Sequence, residues 1–285
     1  MADRFMATEP GELLVLLSKH FSTWSRNTLR QRLQLGCIDV NGTTASRHDQ
    51  MLQPGDTVLI HAKGEGRAAT RAAPGLPVVF ADDDLIAIDK PAGLLSVSSD
   101  DERQRTALAL VRNSLSRPGR PAALWPVHRL DRETSGVLLF AKSREVCDAV
   151  QAGWADVEKV YAAIVEGRPD PAAGVIDQPL WEDRNLRVRV GAHEDAKPAR
   201  TRYTTVSSRG ARSRLEVVLE TGRKHQIRAH LAWLGHPVVG DERYGTRASR
   251  LCLHNERLVL RHPTSKEPLR LAAPVPAALL AELGA

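Results

Sequence analysis

The sequence predicts an α+β protein with two parts: a large domain built on a mixed, largely antiparallel sheet flanked by helices, and a small α/β domain before it. Short apolar runs typical of strands dominate the second part of the chain. Helical patterns are few and do not alternate regularly with these strands, which argues against a parallel sheet. Residues 63–76 are rich in Gly, Ala and Arg and lack hydrophobic periodicity, which is typical of a linker.

These observations divide the 285 residues into three segments. Residues 1–62 form the predicted small domain, residues 63–76 a flexible basic linker, and residues 77–285 the large domain. Such a division agrees with the soft expectation of one large or two unequal domains for a chain of this length.

The small domain contains two helical patterns followed by short strands. A first helix has its apolar face at Leu13, Leu14, Leu16 and Leu17, and a second begins at Ser25, whose hydroxyl can cap free backbone N–H groups. Alternating apolar residues then predict strands around 38–40 and 57–60, with Asn41-Gly42 as a tight turn after the first.

The large domain contains five clear strand candidates and two helices. The helices are expected at about 104–113 and 224–234. The strands are expected at 78–80, 85–89, 137–141, 159–165 and 213–220.

Composition narrows the function. The net charge is +6 with a pI of about 9.5, which makes nucleic acid or an anionic membrane a candidate partner. No segment is long and apolar enough to span a bilayer, so we expect no membrane association. The three cysteines are far apart and follow no metal-binding spacing, which indicates a reducing, cytoplasmic environment without disulfides.

Two segments carry groups suited to chemistry. The first, from His128 to Gly136, packs a potential acid/base, cations, a carboxylate and hydroxyls into one turn before a buried strand. A capped turn, with Asp131 bonding nearby backbone N–H groups, is an equally good interpretation of these residues alone. Physical reasoning by itself does not turn one aspartate into a specific activity.

The second segment, Thr221 to Leu231, follows a strand and opens a helix. Arg223 and Lys224 would lie near free helix N–H groups, a favourable setting for phosphate. If the apolar residues of a regular helix here face the core, Arg228 projects elsewhere and could meet a carboxylate. The spacing of the histidines in this region does not place them on one helical face, so we expect no metal site.

The stretch HRLDRETSGVLLFAK at 128–142 resembles the signature of the RluA family of pseudouridine synthases. Further blocks, in the family's order, are similar to LIAIDKPAGLL at 85–95, the Lys-x-Tyr strand at 159–161, GRKHQIR at 222–228, LGHPVVGDERYG at 234–245 and LCLHNERL at 251–258. The first 60 residues resemble, more loosely, the small RNA-binding domain of the ribosomal protein S-four type. The usual Arg-Leu-Asp opening of that domain is replaced here by Gly11-Glu12-Leu13.

The resemblance implies the pseudouridine synthase fold and an enzyme that isomerises uridine within structured RNA, large-subunit ribosomal RNA being favoured over transfer RNA. It implies no cofactor, no metal, no obligate protein partner and a monomer. The residues it implicates fall into three groups. The catalytic ones are Asp131, Tyr161 and Arg228; the substrate-binding ones are Arg129, Leu253, His225 and Gln226; the RNA-binding ones are Arg26, Arg30, Arg32, Arg223 and Lys224.

Other functions are weaker alternatives. A non-catalytic RNA-binding or ribosome-assembly protein could keep the fold, but Asp131, Tyr161 and Arg228 are all present. A methyltransferase would need a glycine-rich cofactor loop after its first strand, whereas Gly64-Glu65-Gly66 lies in the linker. A hydrolase would need a GxSxG nucleophile turn, and none occurs.

Overall fold

The computed structural model describes residues 3–22, 24–34, 37–41, 43–45, 47–61, 76–98, 105–116 and 119–284. Buried apolar side chains before residue 62 form one cluster, and those from residue 76 onward form separate clusters. The predicted linker lies outside the described residues except for Leu76, which is buried. The division into residues 1–62, 63–76 and 77–285 therefore stays a prediction.

The first part of the chain is a small α/β unit, as the sequence predicts. Its helices are α1 (Leu13–His20) and α2 (Arg26–Gln34). Its strands are β1 (Asp3–Met6), β2 (Gly11–Glu12), β3 (Ile38–Val40), β4 (Thr43–Thr44), β5 (Met51–Leu52) and β6 (Thr57–Ile60). Strands β1, β6, β3 and β4 pair in that order and are all antiparallel, while β2 pairs with β5.

The local signals in this unit act as expected. The Ser25 hydroxyl accepts a hydrogen bond of 3.1 Å from the Thr28 N–H, the N-capping interaction that the sequence predicts. Asn41 adopts a positive φ of 50°, which starts the turn between β3 and β4. The four leucines predicted for the first helix are all buried in one cluster with apolar residues of the second helix and the strands.

The second part of the chain is a mixed, largely antiparallel sheet flanked by helices. Its helices are α3 (Ala107–Leu115), α4 (Arg144–Ala152), α5 (Gln226–Trp233) and α6 (Ala277–Ala281). Its strands are β7 (Val78–Ala81), β8 (Leu85–Lys90), β9 (Trp125–Pro126), β10 (Ser135–Ala141), β11 (Glu158–Glu166), β12 (Ala173–Asp177), β13 (Leu180–Glu182), β14 (Val188–Val190), β15 (Arg200–Arg209), β16 (Arg212–Leu219), β17 (Leu253–Arg261) and β18 (Pro268–Ala272).

Ten of these strands form one sheet. Its order is β12-β15-β16-β11-β17-β10-β8-β7, with β18 beside β17 and β9 beside β10. Every pair is antiparallel except β10 and β17, which run parallel. The remaining two strands, β13 and β14, form a separate hairpin.

Strand β10 organises the centre of this sheet. All seven of its residues are buried, and alternate residues enter different apolar clusters: Leu138 and Phe140 one, Val137 and Leu139 another. This alternation follows from the two-residue period of a strand and shows that helices and loops cover both faces of the sheet here. The turn that precedes β10 is therefore held at the middle of a rigid element.

The start of β10 is unusually close to its parallel neighbour. Gly136 pairs with Asn255 of β17 and has a φ of 112°. A Cβ at this position would overlap the backbone of Asn255, so only glycine fits.

We predict that Gly136→Ala destabilises the protein by roughly 3 kcal/mol, because the added methyl forces the two central strands apart. Gly191→Ala is the matched control: its φ of 122° is similar, yet nothing lies within 4 Å of its Cβ position. Urea unfolding of both variants measures the difference. Equal losses of stability would show that backbone strain, and not the contact with Asn255, fixes the glycine.

Candidate active site

The turn that carries Asp131 is fixed from inside by a buried lysine. Lys90 is fully buried, and its ammonium donates hydrogen bonds to the carbonyl oxygens of Pro91, Leu94 and Arg132 at 2.9, 2.8 and 3.1 Å. Burial lowers the pKa of Lys90 to about 8, although nearby carboxylates, including that of Asp131, partly oppose the shift. Lys90 therefore joins the loop after β8 to the turn before β10.

A second set of hydrogen bonds fixes Leu130, the residue before Asp131. The buried Ser96 hydroxyl donates a hydrogen bond of 2.7 Å to the Leu130 carbonyl and accepts one of 3.0 Å from the Leu130 N–H. The main chain on both sides of Asp131 is thus tied to the segment following β8. This leaves the carboxylate itself about one-third exposed on a restrained backbone.

Arg228 of α5 meets this carboxylate, an arrangement that the helical periodicity allowed. Its Nη1 donates a hydrogen bond of 3.1 Å to Oδ2 of Asp131. The other two nitrogens bind Asp241: Nε donates to Oδ2 at 2.7 Å and Nη2 to Oδ1 at 2.9 Å. Burial alone would lower the pKa of Arg228, but the hydrogen bonds and charges of Asp241 and Asp131 raise it above its ordinary value.

Asp241 is a site residue that the sequence reasoning missed. Its side chain is fully buried, and its Oδ1 also accepts hydrogen bonds from the N–H groups of Arg243 and Tyr244 at 3.0 and 3.1 Å. Burial raises its pKa, but the bond to Arg228 outweighs this and lowers it, so the carboxylate is charged. The sequence signal that could have indicated Asp241 is its position in the block GDERYG at 240–245, to which no function was assigned.

His225 approaches Asp131 from the same side. Its Nε2 lies 3.7 Å from Oδ2 of Asp131, and its Nδ1 lies 3.0 Å from the Tyr244 hydroxyl. The residue has a φ of 52°, a backbone conformation that is costly for a residue with a side chain. Burial lowers the pKa of His225, so the ring is neutral at physiological pH and places no second positive charge on Asp131.

Both partners of Asp131 reach the same oxygen atom. Arg228 and His225 face Oδ2, while Oδ1 receives no hydrogen bond from the part of the chain that the structure describes. The carboxylate is thus oriented through one oxygen and leaves the other available to a substrate.

A small pocket of about 80 Å³ opens beside Asp131. Tyr161 of β11 and Leu253 of β17 line it together with Asp131 and Arg228, so the structure brings these predicted residues together. Tyr161 is 8% exposed; burial, and next the charge of Asp131, raise its pKa, which keeps the phenol protonated. An aromatic ring, an aliphatic side chain and a carboxylate suit a flat heterocycle joined to a sugar.

A larger cleft of about 740 Å³ adjoins this pocket and also reaches Asp131 and Tyr161. His128 lies in its wall but is not an acid or base. Its Nε2 accepts a hydrogen bond of 3.1 Å from the Leu139 N–H, and the ring also bonds the backbone of Arg129. Burial, and next the charge of Lys159, lower the pKa of His128 to about 3.

The other predicted substrate-binding residues, Arg129 and Gln226, differ in whether their polar groups already have hydrogen-bond partners within the protein. Arg129 is exposed and lines both cavities. The amide of Gln226 is used within the fold, since its oxygen accepts from Thr221 and Arg223 and its nitrogen donates to Arg200 and Thr201. Gln226 therefore shapes the turn before α5, and its amide has no group left to offer a substrate.

The residues predicted to bind phosphate also differ in whether they already have a partner within the protein. Arg223 donates to the Pro198 carbonyl at 3.2 Å, and Lys224 pairs with Glu182. In the small unit, Arg26 and Arg30 are exposed on α2, whereas Arg32 donates to the His61 carbonyl and lies 4.1 Å from the Trp24 ring centre. Arg26 and Arg30 are thus freer to bind a phosphate than Arg32.

The residues that the structure describes contain no group of three or more His, Cys, Asp or Glu side chains placed to hold a metal ion. They also contain no helix with the length and apolar character needed to cross a bilayer.

Comparison with known proteins identifies the class of this site. The profile of the family described as RNA pseudouridylate synthase matches residues 84–233. The chain is 33% identical to the ribosomal large subunit pseudouridine synthase D of Nitrosomonas europaea over 276 residues, which is 91% of this chain and 80% of that protein. It is 32% identical to an uncharacterized RNA pseudouridine synthase of Mycobacterium tuberculosis, covering 90% of this chain and 88% of that one.

The fold gives the same result. The solved structure of human RNA Pseudouridylate Synthase Domain Containing 4 aligns with a TM-score of 0.61 at 27% identity, covering 72% of this chain and 91% of that chain. The chain belongs to the RNA pseudouridylate synthase family. It is therefore an isomerase that acts on RNA, and its sheet is the pseudouridine synthase fold.

The buried lysine gives a pH-dependent prediction. The folded pKa of Lys90, about 8, lies below the ordinary 10.5, so the unfolded chain binds more protons between these values. Stability therefore rises with pH across this window, relative to a variant without the ammonium. We predict that the unfolding free energy of the wild type, minus that of Lys90→Met, increases from pH 8 to pH 10.5. A flat difference in urea titrations would show that Lys90 does not titrate in this range.

The buried carboxylate gives a kinetic prediction. Asp241→Asn removes the charge that holds two of the Arg228 nitrogens, so we expect the guanidinium to turn towards Asp131 and kcat for uridine isomerisation to fall roughly 100-fold with little change in KM. Glu242→Gln, at the exposed neighbour that pairs with Arg247, is the matched control and retains full kcat. An unchanged kcat in Asp241→Asn would exclude a positioning role for Asp241.

Proposed function

We propose that this enzyme isomerises specific uridines in structured RNA with Asp131 as the catalytic group and without a cofactor. The observation that carries the proposal is the Asp131 carboxylate in the lining of the small pocket, with Arg228 and His225 both at its Oδ2. Tyr161 and Leu253 provide the flat, apolar walls that a uracil ring would need.

The reaction begins with removal of the target nucleotide from its stack, which costs a few kcal/mol. The free Oδ1 of Asp131 then either attacks the anomeric carbon of the ribose or removes the adjacent sugar proton. Both routes break the bond from that carbon to uracil nitrogen one. The freed uracil turns, its carbon five bonds to the anomeric carbon, and the proton on carbon five moves to nitrogen one through proton acceptors. Atoms and oxidation level are conserved, so the reaction needs no cofactor.

Arg228 orients Asp131 in either route through its hydrogen bond of 3.1 Å to Oδ2. Tyr161 is a protonated phenol and is therefore not a ready base. It can take the proton from carbon five only by passing its own hydroxyl proton to an acceptor. Asp131, released once the new bond forms, is the acceptor within the same pocket.

The substrate that we favour is large-subunit ribosomal RNA. The support is that relatives from Nitrosomonas europaea, Xanthomonas campestris and Vibrio cholerae are named ribosomal large subunit pseudouridine synthase D and are 33%, 34% and 33% identical to this chain. Transfer RNA is the alternative, and we expect folded RNA shape, more than a base code, to select the site.

The small N-terminal unit would supply much of the affinity. We propose that residues 1–62 form an RNA-binding domain of the ribosomal protein S-four type, connected by residues 63–76 to a catalytic domain at 77–285. The exposed Arg26 and Arg30 support this proposal, since guanidinium groups bind phosphate well. We further propose a monomer acting in the cytoplasm; the free, buried cysteines agree with a reducing compartment.

The test is tritium release from RNA labelled at carbon five of uracil, with RNA from cells that lack this gene. We expect release by the wild type and at least a 1000-fold loss in Asp131→Asn, since the amide is neither a nucleophile nor a base. Asp148→Asn, at an exposed aspartate paired with Arg144, is the matched control and keeps full activity.

Either of two results would contradict the proposal. Equal release by the wild type and Asp131→Asn would mean that the catalytic residue is wrong. No release by the wild type from ribosomal or transfer RNA would favour an RNA-binding protein that does not use this chemistry. Mapping the modified uridine then decides between the two RNA classes.

A further inference from the structure

The cleft beside the active site is larger than the chemistry requires. The small pocket of about 80 Å³ is lined by the proposed base-binding residues, whereas the adjoining cleft has about 740 Å³. The two cavities share Asp131, Tyr161 and Arg129, so a strand that enters one can continue into the other. His128, Trp154 and Lys159 line the cleft but not the small pocket, and we call the wall that they form the outer wall.

The charge of the cleft fits a polyanion. Asp131 is the single carboxylate among the lining residues of the described chain, against five cationic side chains. These cations are Arg129, Arg132, Lys159, Arg223 and Lys224. Arg132 and Lys224 lie within ion-pair distance of Glu133 and Glu182, which leaves three cations without such a partner among the described residues. A concave surface with unpaired cations raises the local concentration of phosphate groups.

The outer wall also offers an aromatic surface. Trp154 lies in a short 3-10 helix after α4, is only partly buried and faces the cleft. The His128 ring stacks near it with centroids 4.8 Å apart at 27°, and that ring is neutral. Stacking on such an aromatic side chain is the usual way in which an unpaired RNA base is held.

Lys159 provides a cation at the same place. Its side chain is buried, and one of its three N–H donors goes to the Trp154 carbonyl at 3.0 Å. Burial lowers the pKa of Lys159, and the charge of Asp156 partly opposes this shift. The ammonium lies 5.8 Å from the centre of the Trp154 ring, and no carboxylate of the described residues lies within ion-pair distance of it, so its charge can also pair with a phosphate in the cleft.

We propose that this outer wall is a subsite for a nucleotide adjacent to the target uridine, with its base on Trp154 and its phosphate towards Lys159. The inference rests on the proposed function for its ligand class, but the subsite is defined by residues that take no part in the chemistry. An RNA bound here would have at least two nucleotides unstacked at once, which ties substrate choice to loops and other single-stranded segments.

The test compares two probes by fluorescence titration: uridine monophosphate and the trinucleotide UpUpU, which reaches the subsite whichever side of the target it lies on. We expect the wild type to bind UpUpU about tenfold more tightly than the monophosphate, and Trp154→Ala to lose this preference. Trp154→Phe keeps an aromatic face and most of the preference. Trp233→Ala, at a half-exposed tryptophan of α5 that does not line the cleft, leaves it unchanged.

The salt dependence of binding tests whether Lys159 contacts a phosphate or only packs within the protein. Lys159→Met keeps the apolar part of the side chain but removes its charge. The slope of log affinity against log salt concentration for UpUpU should therefore become less steep by the amount that corresponds to about one phosphate contact. An equal affinity of the wild type for the two probes, or a preference that survives Trp154→Ala, would overturn the proposal. These binding results do not depend on tritium release, so failure of the proposed function is detected separately.

Discussion

One guanidinium shared between two carboxylates organises this site. Arg228 has three nitrogens; two are fixed by the buried Asp241 and one remains for Asp131. A free arginine could bind Asp131 through two nitrogens and cover both of its oxygens. Because Asp241 takes that bidentate position, Arg228 donates to one oxygen of Asp131 and leaves the other uncovered. The orientation of the Asp131 carboxylate thus depends on the fully buried Asp241.

The sheet supplies the rigidity that this arrangement needs. Asp131 precedes the fully buried β10, and Leu253 begins the parallel neighbour β17. Tyr161 lies on β11, on the other side of β17. The buried ammonium of Lys90 donates to three carbonyl oxygens and so fixes the turn before β10. Strands near the centre of the sheet therefore supply Tyr161 and Leu253 to the pocket, and the turn before β10 and helix α5 supply the other walls.

From residue 77 onward, sequence patterns predicted five strands, two helices and part of the site, but not α4, β15 or β17. The limit has a physical reason. Helical periodicity indicated that Arg228 points away from the core, and a carboxylate partner was expected. Asp241 and the clamp at Lys90 were missed because both depend on contacts that form only after the chain folds. A lysine before proline looks exposed in sequence, and nothing local shows that three carbonyls enclose it. His128 looked like an acid or base, but its burial and backbone hydrogen bonds exclude that role.

Cationic side chains that already have a partner within the protein differ in role from unpaired ones. The paired cations orient protein groups, whereas the unpaired ones can bind phosphate. Arg228 and Lys224 pair with carboxylates, and Arg32 packs on Trp24, so these cations fix protein geometry. Arg129 and Lys159 have no carboxylate within ion-pair distance among the described residues and face the cleft. A cation that is already neutralised adds little to the attraction of a phosphate. The unpaired cations, more than the net charge of +6, are therefore the groups that can attract a polyanion to the cleft.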